Sequence, residues 1–554
     1  MSDLSFVVVA IPAIGAVVLV IAALRSGSAH DRFATATTSP VTNLGSEVDL
    51  ALCRRIAVIF ATCALAAVIG LSLCGRWLQV KTAVGGNDCS AAFALLTAAS
   101  WLPVVFVARR SDGRRPQLLY GLLLLLEASY LAIFSCNNAV WLCAALQVNS
   151  VLLYLLTSGW SEHANEGLAK KMLLMNLAAD LAILIGLTGV VIAAARTSGT
   201  ESGVIPQLNY SLSDLVREFP RLTTDDVSAQ EYWKHAQRSL LAILVLAALV
   251  KAPLVPFHAW FASVVAEGPS CVSIALVGPG LRVGLYLLAR FVGPLCGELG
   301  GTADLIVGLT ILGALHQSLL TYGQTNFKKM LACVCLLQGS LAVAGFFSLP
   351  PQNASGPLML GLASGVAGVL VLFALNFLEW RLGVADLSAV GGIVHRLPNL
   401  AAMLLMATFS LVGIPGLFGF PGLFATLGAV FRGEWAFAFL AIGACLIAAW
   451  ALFSMLQHLV FGSVRLPLPG KGDVLLDRQP PPAGADTPAV PGWTADSAPR
   501  EWSIVNEGRS GSIDLSAPEL LIVGALLAGL VGLGVWPQTI SAALYFALIG
   551  WSPP

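Results

Sequence analysis

The sequence predicts an all-α protein that crosses a lipid bilayer many times. Hydrophobic residues make up 57% of the 554-residue chain and charged residues only 11%, whereas a soluble domain carries about 25% charged residues. About fourteen apolar runs reach the ~20 residues that a membrane-spanning helix needs. The formal net charge is zero, and the chain has no basic face or motif typical of nucleic-acid binding.

We number the predicted spanning segments as spans 1 to 14 in chain order. The first run lacks the basic residues that open a signal peptide and is long enough to cross the bilayer, so we interpret it as a helix. The runs begin near Leu4, Arg55, Ala91, Gln117, Ala139, Met172, Leu240, Pro269, Ala303, Met330, Leu358, Leu400, Ala436 and Pro518.

Basic residues are concentrated in the odd-numbered loops between these spans. By the positive-inside rule, these loops face the cytoplasm and both termini lie outside. The basic residues concerned are Arg109, Arg110, Arg114, Arg115, Lys170, Lys171, Lys328, Lys329, Arg381 and Arg396.

Two longer polar segments interrupt the pattern. Residues 196–238 mix acids, bases and aromatic residues, which favours a small ordered external cap over the pore mouth. Residues 463–516 contain a run of three prolines among many Gly, Ala and Asp, a composition typical of an extended, poorly packed cytoplasmic linker. Neither segment has a nucleotide-binding signature.

The most informative stretch is Lys251-Ala-Pro-Leu-Val-Pro-Phe-His-Ala-Trp260, which follows an apolar run. A charged residue in hydrocarbon is costly, and for that reason it usually lines an ion or proton path. Pro253 and Pro256 have no N–H group. They are predicted to leave the carbonyls of Leu249 and Ala252 without helical donors, which a bilayer tolerates only inside protein or beside a wet cavity. Span 7 is therefore predicted to be a broken helix at a transport site.

The eleven cysteines form no CxxC pair and no metal-ligand spacing. Cys333 and Cys335 lie in an apolar run, where they are better explained as small core residues. We expect no metal ion, Fe–S cluster, haem or other cofactor in this chain.

These stretches together resemble the antiporter-like membrane subunits of respiratory NADH:quinone oxidoreductase, complex I. The short spacing between Trp260 and Glu267 is similar to that of the M-type subunit, mitochondrial chain 4, and not to the longer L-type. The resemblance covers roughly 121–538 and rests on Lys251 to Trp260, Glu267-Gly-Pro-Ser270, Arg282-Val-Gly-Leu-Tyr-Leu-Leu-Ala-Arg290, Gly323-Gln-Thr-Asn-Phe-Lys-Lys-Met-Leu-Ala332, Asp386-Leu-Ser-Ala-Val-Gly-Gly392, Gly413-Ile-Pro-Gly416, Asp514-Leu-Ser-Ala-Pro-Glu519 and Gly534-Val-Trp-Pro-Gln538.

The resemblance implies two inverted five-helix repeats, each with one broken helix, which is a general transporter architecture. The second break is expected at Gly413 to Gly422 in span 12. The implied organisation is spans 1–3 in 1–109, the first repeat in 110–297, the second repeat in 298–462, the polar loop in 463–516 and span 14 in 517–554.

The resemblance also implies which residues carry protons, and this chain departs from the family there. The family's Glu on helix 5 is matched by Gln147, so that Lys251 would lose its nearby anion and desolvation would favour the neutral amine. The family's Lys on helix 8 is matched by Arg282, which stays protonated and acts as a fixed cation or anion clamp but not as a proton carrier. Leu423 stands at the exit position on helix 12, and Gln338 replaces a His on helix 10.

Other titratable residues predict a rerouted path. Asp180 in span 6 and Glu127 in span 4 are acids within the membrane, and His258 and His316 carry side chains that change charge near neutral pH. We hypothesise that Asp180 replaces the missing Glu as the partner of Lys251.

Each of these residues also has a structural interpretation. In this interpretation Lys251 is a snorkelling or structurally paired lysine, and Arg282 is a cation that holds span 8 in place. His258 is then a hydrogen-bonded helix terminus and His316 a buried neutral histidine bonded to a carbonyl. The two glutamines would bridge helices by hydrogen bonds worth about 0.6 kcal/mol.

Three functions follow. The first is a membrane subunit of complex I, with weakened or rerouted proton conduction, in a bacterial inner membrane. It would help to couple NADH oxidation and quinone reduction to proton export. NADH, FMN, Fe–S clusters and quinone would be bound by partner subunits. The second is a subunit of a multisubunit cation/proton antiporter or of an energy-coupled inorganic-carbon uptake complex. The third is a scaffold that occupies the same place without conducting. In none of these is the chain expected to be catalytic alone.

Overall fold

A computed structural model describes residues 3–33, 42–78, 88–108, 116–160, 166–202, 210–212, 214–215, 227–292, 302–348, 354–382, 387–463 and 514–549. Its α-helices are α1 (Asp3–Phe33), α2 (Thr42–Leu78), α3 (Asp88–Val107), α4 (Pro116–Ser135), α5 (Ala139–Trp160), α6 (Glu166–Ser202), α7 (Val227–Lys251), α8 (Ala259–Glu267), α9 (Ser270–Ala275), α10 (Arg282–Leu287), α11 (Thr302–Gly323), α12 (Phe327–Phe347), α13 (Ser355–Leu382), α14 (Pro398–Val412), α15 (Gly419–Gly433), α16 (Trp435–Leu459), α17 (Ala517–Val535) and α18 (Gln538–Ile549).

These helices confirm the predicted all-α membrane fold. Within the described residues, 11 helices are long and apolar enough to cross a membrane. The three other predicted spans are α1, whose apolar part is Phe6–Ile21, and α7 and α14, which each end at a helix break. The protein is therefore an integral, multi-pass membrane protein.

A few helices form the centre of the molecule. In Ser270–Phe291, Phe327–Phe347 and Ser355–Leu382, 94% of the residues in the most apolar 18-residue stretch are buried. In Ala517–Val535 the share is 17%. Mean hydropathy does not separate the two groups, because it is 1.7 to 2.4 in the central helices and 2.0 in the peripheral one. Burial within the bundle, and not apolarity, therefore defines the core.

The first break lies between α7 and α8, where the sequence predicts it. α7 ends at Lys251 and α8 begins at Ala259. The Leu249 carbonyl lacks a helical donor at Pro253, as predicted, and accepts a hydrogen bond from the Leu254 N–H at 3.2 Å instead. The Ala252 carbonyl accepts no backbone hydrogen bond from any described residue, as expected from the missing N–H of Pro256.

The second break, between α14 and α15, depends on glycine. Gly413 and Gly416 have φ angles of 85° and 92°, a left-handed conformation that costs residues with a Cβ roughly 1–2 kcal/mol. The Ile414 N–H closes the end of α14 on the Phe409 carbonyl at 3.0 Å. Each break falls in the fourth span of a predicted five-span repeat, which is the correspondence that repeated halves require.

Ion pairs between helix ends establish which loops share a side of the membrane. Lys329 pairs with Glu267 at 2.9 Å, Lys328 pairs with Glu379, and Arg381 lies 4.0 Å from Glu519. These pairs join residues at the ends of spans 7, 10, 11 and 14, so that loops 7, 9, 11 and 13 lie together. The predicted grouping of these odd loops is thus confirmed.

The even loops 4 and 6 meet on the other side. The Ala139 N–H donates to the Tyr210 carbonyl at 2.9 Å, and the Leu212 N–H donates to the Asn137 carbonyl at 2.8 Å. This short pairing fits the predicted external cap. Both ends of the predicted loop 196–238 are helical, because α6 continues to Ser202 and α7 begins at Val227.

Two other predicted segments lie in the last part of the chain, after span 13. The linker predicted in 463–516 lies almost entirely outside the described residues. At its end, the Asp514 carboxylate accepts hydrogen bonds from the Asn399 and Leu400 N–H groups at 2.9 and 3.2 Å, which caps α14. The single helix predicted in 517–554 is instead two helices, α17 and α18, and α18 turns back to pack on α3 and α13.

Candidate functional site

The candidate site lies at the first break, where α7 ends inside the bundle. Lys251 is the last residue of α7, and its side chain is 4% exposed. α5 and α6 flank it and present polar residues from otherwise apolar helices, Ser150 from α5 and Asn176 and Asp180 from α6. Because Asn176 and Asp180 are four residues apart, they lie on the same face of α6.

A buried ion pair forms the centre of the site. The Lys251 Nζ lies 2.7 Å from Asp180 Oδ1, and the Asp180 side chain is 1% exposed. The ammonium also donates to Ser150 Oγ and Asn176 Oδ1, both at 3.2 Å. The Ser150 hydroxyl donates to Asp180 Oδ2 at 2.6 Å. The structure thus brings Asp180 to Lys251, the pairing that the sequence predicts, and the role of the pair in transport stays a prediction.

The sequence interpretation missed Ser150 and Asn176. The Asn176 NH₂ group donates to the Met172 carbonyl at 2.9 Å, which leaves its oxygen directed at Lys251. The signal was present in the sequence as an Asn four residues before the intramembrane Asp. Without knowing which face of α6 meets α7, this spacing alone does not predict a contact.

A small cavity adjoins the ion pair. Its lining includes Tyr130, Asn149, Asn176, Lys251 and Gly280. The cavity has about the size that holds one water molecule, and its polar lining suits one. The break therefore provides both a titratable pair and a place for solvent beside it.

Gln147 is not part of this cluster. The expectation that its position lies beside Lys251 is wrong, because Gln147 is exposed on the outer face of α5. Asn149 and Ser150 occupy the inner face instead. Asp180 supplies the anion that the substitution at 147 was expected to remove.

Arg282 is a buried cation bound by neutral oxygens. It is 2% exposed, and its Nε donates to the Gly361 carbonyl at 2.9 Å and its Nη2 to Ser364 Oγ at 2.7 Å. Its Nη1 donates to the Val277 carbonyl. No carboxylate of the described chain lies within ion-pair distance of it. These contacts agree with the interpretation of Arg282 as a fixed cation.

The second break has a cavity of a different kind. Gln338 donates from its amide nitrogen to the carbonyl of Leu411, in the last turn of α14. Leu423 and Cys445 line the same cavity, and the rest of its lining is aliphatic. None of the described lining residues is Asp, Glu, Lys or His, so this site lacks the proton carriers that the first break retains.

The two histidines lie together near the molecular surface. Their ring centroids are 5.1 Å apart in a T-shaped arrangement. His316 is exposed, so its interpretation as a buried histidine is wrong. His258 occupies the N-cap position of α8 without a side-chain capping bond, and its Nδ1 has no hydrogen-bond partner among the described residues. The expectation that His258 is a hydrogen-bonded helix terminus is not met by this nitrogen.

Glu127 lies apart from the Lys251 hydrogen bonds. It is fully buried in α4, and neither carboxyl oxygen has a hydrogen-bond partner within the described chain. An unpaired carboxyl group in such surroundings is costly to ionise. The structure therefore places Glu127 in the bundle interior without connecting it to the ion pair.

A multi-pass α-helical protein with a broken helix in each half and a buried Lys–Asp pair at one break belongs to the class of ion-transport membrane proteins. Residues 137–448, more than half of the chain, match the family described as NADH:quinone oxidoreductase/Mrp antiporter, TM, and the chain belongs to this family.

Individual relatives agree with this membership. The chain is 31% identical over 386 residues to NADH-quinone oxidoreductase subunit 13 of Thermus thermophilus, which covers 67% of this chain and 74% of that protein. It is similar in fold to a chain of respiratory complex I from Thermus thermophilus, with a TM-score of 0.71 and 20% identity. The match covers 99% of this chain and 98% of that one. It is also similar in fold to a chain of the Mrp complex from Dietzia sp., with a TM-score of 0.70 and 16% identity. That match covers 100% of this chain and 98% of the Mrp chain.

Proposed function

We propose that this protein is a membrane-arm subunit of a proton-translocating NADH:quinone oxidoreductase, in which the first repeat retains a titratable ion pair and the second repeat does not conduct. The observation that carries the proposal is the buried Lys251–Asp180 pair at the break of α7. Pairs of this kind inside membranes are typical of proton paths. The named relative in Thermus thermophilus is a subunit of such an oxidoreductase.

The proposed lack of conduction in the second repeat rests on Arg282, near the end of the first repeat, and on Gln338 and Leu423 in the second. Arg282 stays protonated and donates to Gly361, Ser364 and Val277, which holds it in one place. Gln338 and Leu423 line the second cavity and carry no proton near neutral pH. A proton that reaches Lys251 would then leave by a path other than the one along the second repeat.

In this proposal the chain is the non-redox, ion-translocating part of an enzyme. Its partners are other membrane and peripheral subunits, which carry NADH, FMN, Fe–S clusters and quinone, and the chain itself binds no cofactor. It lies in the energy-coupling membrane, the inner membrane of a bacterium, with both termini outside. The basic residues of the odd loops support this orientation.

A second candidate function is that of a subunit of a multisubunit cation/proton antiporter. It is supported by the family description, which includes Mrp antiporters, and by the fold of the Mrp complex chain from Dietzia sp.. A third, the non-conducting scaffold, is supported by the same substitutions at Arg282, Gln338 and Leu423. The three candidates differ in their partners and in their dependence on Lys251.

The test is to purify the tagged protein from its native membrane in mild detergent, identify its partners, and measure proton pumping in wild type and in Lys251→Ala. The matched control is Lys170→Ala, because Lys170 also pairs with an acid on α6 at 2.9 Å but is 58% exposed. We expect flavin and Fe–S subunits to co-purify and pumping to fall only in Lys251→Ala. Pumping that is indifferent to Lys251 would favour the scaffold, and the absence of redox subunits would favour the antiporter.

A further inference from the structure

We propose that residues 514–534 form a strap that holds the first half of span 12 at both ends, and that this strap controls the mobility of the second helix break. The strap consists of Asp514, the turn that follows it, and α17 up to Gly534. It holds α14, the half-helix that leads into the break. Such a strap acts on the conformation of the second repeat, whichever ion the protein moves.

One end of the strap caps α14. This helix begins at Pro398, and the first N–H groups of a helix have no partners within it. The residue at its N-cap position, Leu397, makes no side-chain capping bond. Asp514 supplies the cap from outside, because its carboxylate accepts from the Asn399 and Leu400 N–H groups at 2.9 and 3.2 Å. Asp514 is 6% exposed, so its favourable interaction with the helix dipole is little screened by water.

The other end of the strap meets the break backbone to backbone. The Phe418 N–H, just after the bend, donates to the Leu530 carbonyl of α17 at 2.9 Å. One turn further along α17, Gly534 lies against the break. A Cβ added at Gly534 would be 2.4 Å from the Leu417 carbonyl carbon and 2.5 Å from the Gly416 oxygen. These contacts use main-chain atoms, so they fix the path of the chain at the break and not only a side chain.

α17 connects the two ends as one continuous helix. It has 19 residues, which is about 28 Å at 1.5 Å per residue. Ser516 and Glu519 form a capping box at its start, which keeps its first turn closed. Few of its side chains are held by other helices, because only 17% of the residues in its apolar stretch are buried. A displacement at Asp514 is therefore passed along α17 to the break.

The first break has no such strap. Within the described residues, the main-chain N–H groups of segment 252–258 donate only inside span 7. These bonds run from Ala252 to Ala248, from Leu254 to Leu249 and from Phe257 to Leu254. This segment can change conformation without giving up a main-chain bond to a neighbouring helix. The second break cannot, because Phe418 would lose the Leu530 carbonyl, and an unpaired N–H inside the membrane is costly.

The two ends of the strap are coupled through α14. While both contacts hold, α14 cannot turn or slide, and the bend from Gly413 to Gly416 keeps one conformation. Loss of the Asp514 cap frees one end of this 15-residue helix, so the break at its opposite end becomes more mobile. Two sites that bias one conformational equilibrium in this way are allosterically coupled. Displacing Asp514 therefore changes the rigidity of the second repeat.

Hydrogen–deuterium exchange, read by mass spectrometry on the full-length protein purified with its partners, tests the coupling. Amide exchange reports the opening of individual segments. Asp514→Ala removes the cap, and Gly534→Ala pushes α17 away from the break. We expect each variant to speed exchange of the peptide over 413–420 by roughly tenfold, the effect of losing one buried hydrogen bond. The peptide over 252–258, at the first break, should exchange as in wild type.

Matched variants separate the strap from general damage. Gly529→Ala changes the same helix at a site with nothing within 4 Å of the new Cβ. Asp304→Ala removes an exposed acid from the first turn of α11. Both should leave exchange at the second break unchanged. If Asp514→Ala does not assemble, Asp514→Asn keeps an acceptor but loses the charge, and it should give a smaller increase over 413–420.

Three results would overturn the strap. They are equal exchange over 413–420 in Gly534→Ala and Gly529→Ala, an Asp514 effect confined to the start of α14, and equal acceleration at both breaks. These outcomes are separate from the proposed function. Proton pumping that depends on Lys251 without any strap effect would retain the proton-translocating subunit and eliminate the strap. A strap effect in a complex without redox subunits would retain the strap and eliminate the oxidoreductase.

Discussion

The ion pair at the first break predicts a strong energetic coupling between Lys251 and Asp180. Removing one partner of a buried pair costs about 3–5 kcal/mol, because the other charge is left uncompensated. In Asp180→Asn the ammonium keeps two neutral acceptors at 3.2 Å, Ser150 and Asn176, so we expect the lower end, about 3 kcal/mol of unfolding free energy. Lys251→Met should cost a similar amount, because Asp180 then keeps only the Ser150 hydrogen bond at 2.6 Å.

The double variant Asp180→Asn with Lys251→Met leaves no charge in the site. It should therefore be more stable than the sum of the single losses, with an interaction free energy of about 2–3 kcal/mol. The assay is denaturant unfolding of the purified protein in detergent for all four combinations, with Glu166→Gln as the control. That carboxylate pairs with Lys170 but is 69% exposed, and its loss should cost less than about 0.5 kcal/mol. Single losses that add within about 0.5 kcal/mol would refute a buried, coupled pair.

Two further predictions concern Arg282 and the second helix break. Arg282→Lys should lower the unfolding free energy by about 1–3 kcal/mol, because a lysine cannot reach all three acceptors of the guanidinium. Proton uptake by proteoliposomes should stay unchanged, because Gln338 and Leu423, further along the same path, carry no proton. A gain of uptake would contradict a non-conducting second repeat. Gly413→Ala should destabilise the protein by at least about 1–2 kcal/mol in thermal unfolding, because φ is +85° and the new Cβ would lie 2.6 Å from Leu423 Cδ2, whereas Gly428→Ala, with nothing within 4 Å, should be neutral or stabilising.

The sequence predicts the breaks and the charged partner better than it predicts which residues face inward. Proline and glycine act through the local backbone, so the breaks after Lys251 and Val412 follow from the sequence alone. Asp180 was predictable because an acid in a membrane helix needs a partner and Lys251 was the obvious one.

Whether Gln147 and His316 point into the bundle or toward lipid was not predictable from the sequence. In a soluble helix, polar residues mark the outer face, but in a membrane helix both faces are apolar and the usual periodicity disappears. His316 lies in an exposed row with Leu312 and Leu319, each 57% exposed. Nothing in that row distinguishes a lipid-facing side from the core.

The division of the last segment into α17 and α18 has a similar cause. Both halves are apolar, so hydropathy gives one continuous signal over 517–549. The break between the two helices lies at Pro537. The sequence around Pro537 does not indicate that α18 turns back onto α3 and α13. Tertiary packing decides such a turn.

The contacts of Arg282 have a mechanical consequence. The residue belongs to α10 in the first predicted repeat, while Gly361 and Ser364 belong to α13 in the second, so one guanidinium fastens the two halves together deep in the bundle. Breaking those hydrogen bonds inside the membrane would leave a buried guanidinium charge without its acceptors. Moving the two halves apart would break these hydrogen bonds, so the contact favours a transport path in which side chains and waters move within a fixed helix frame.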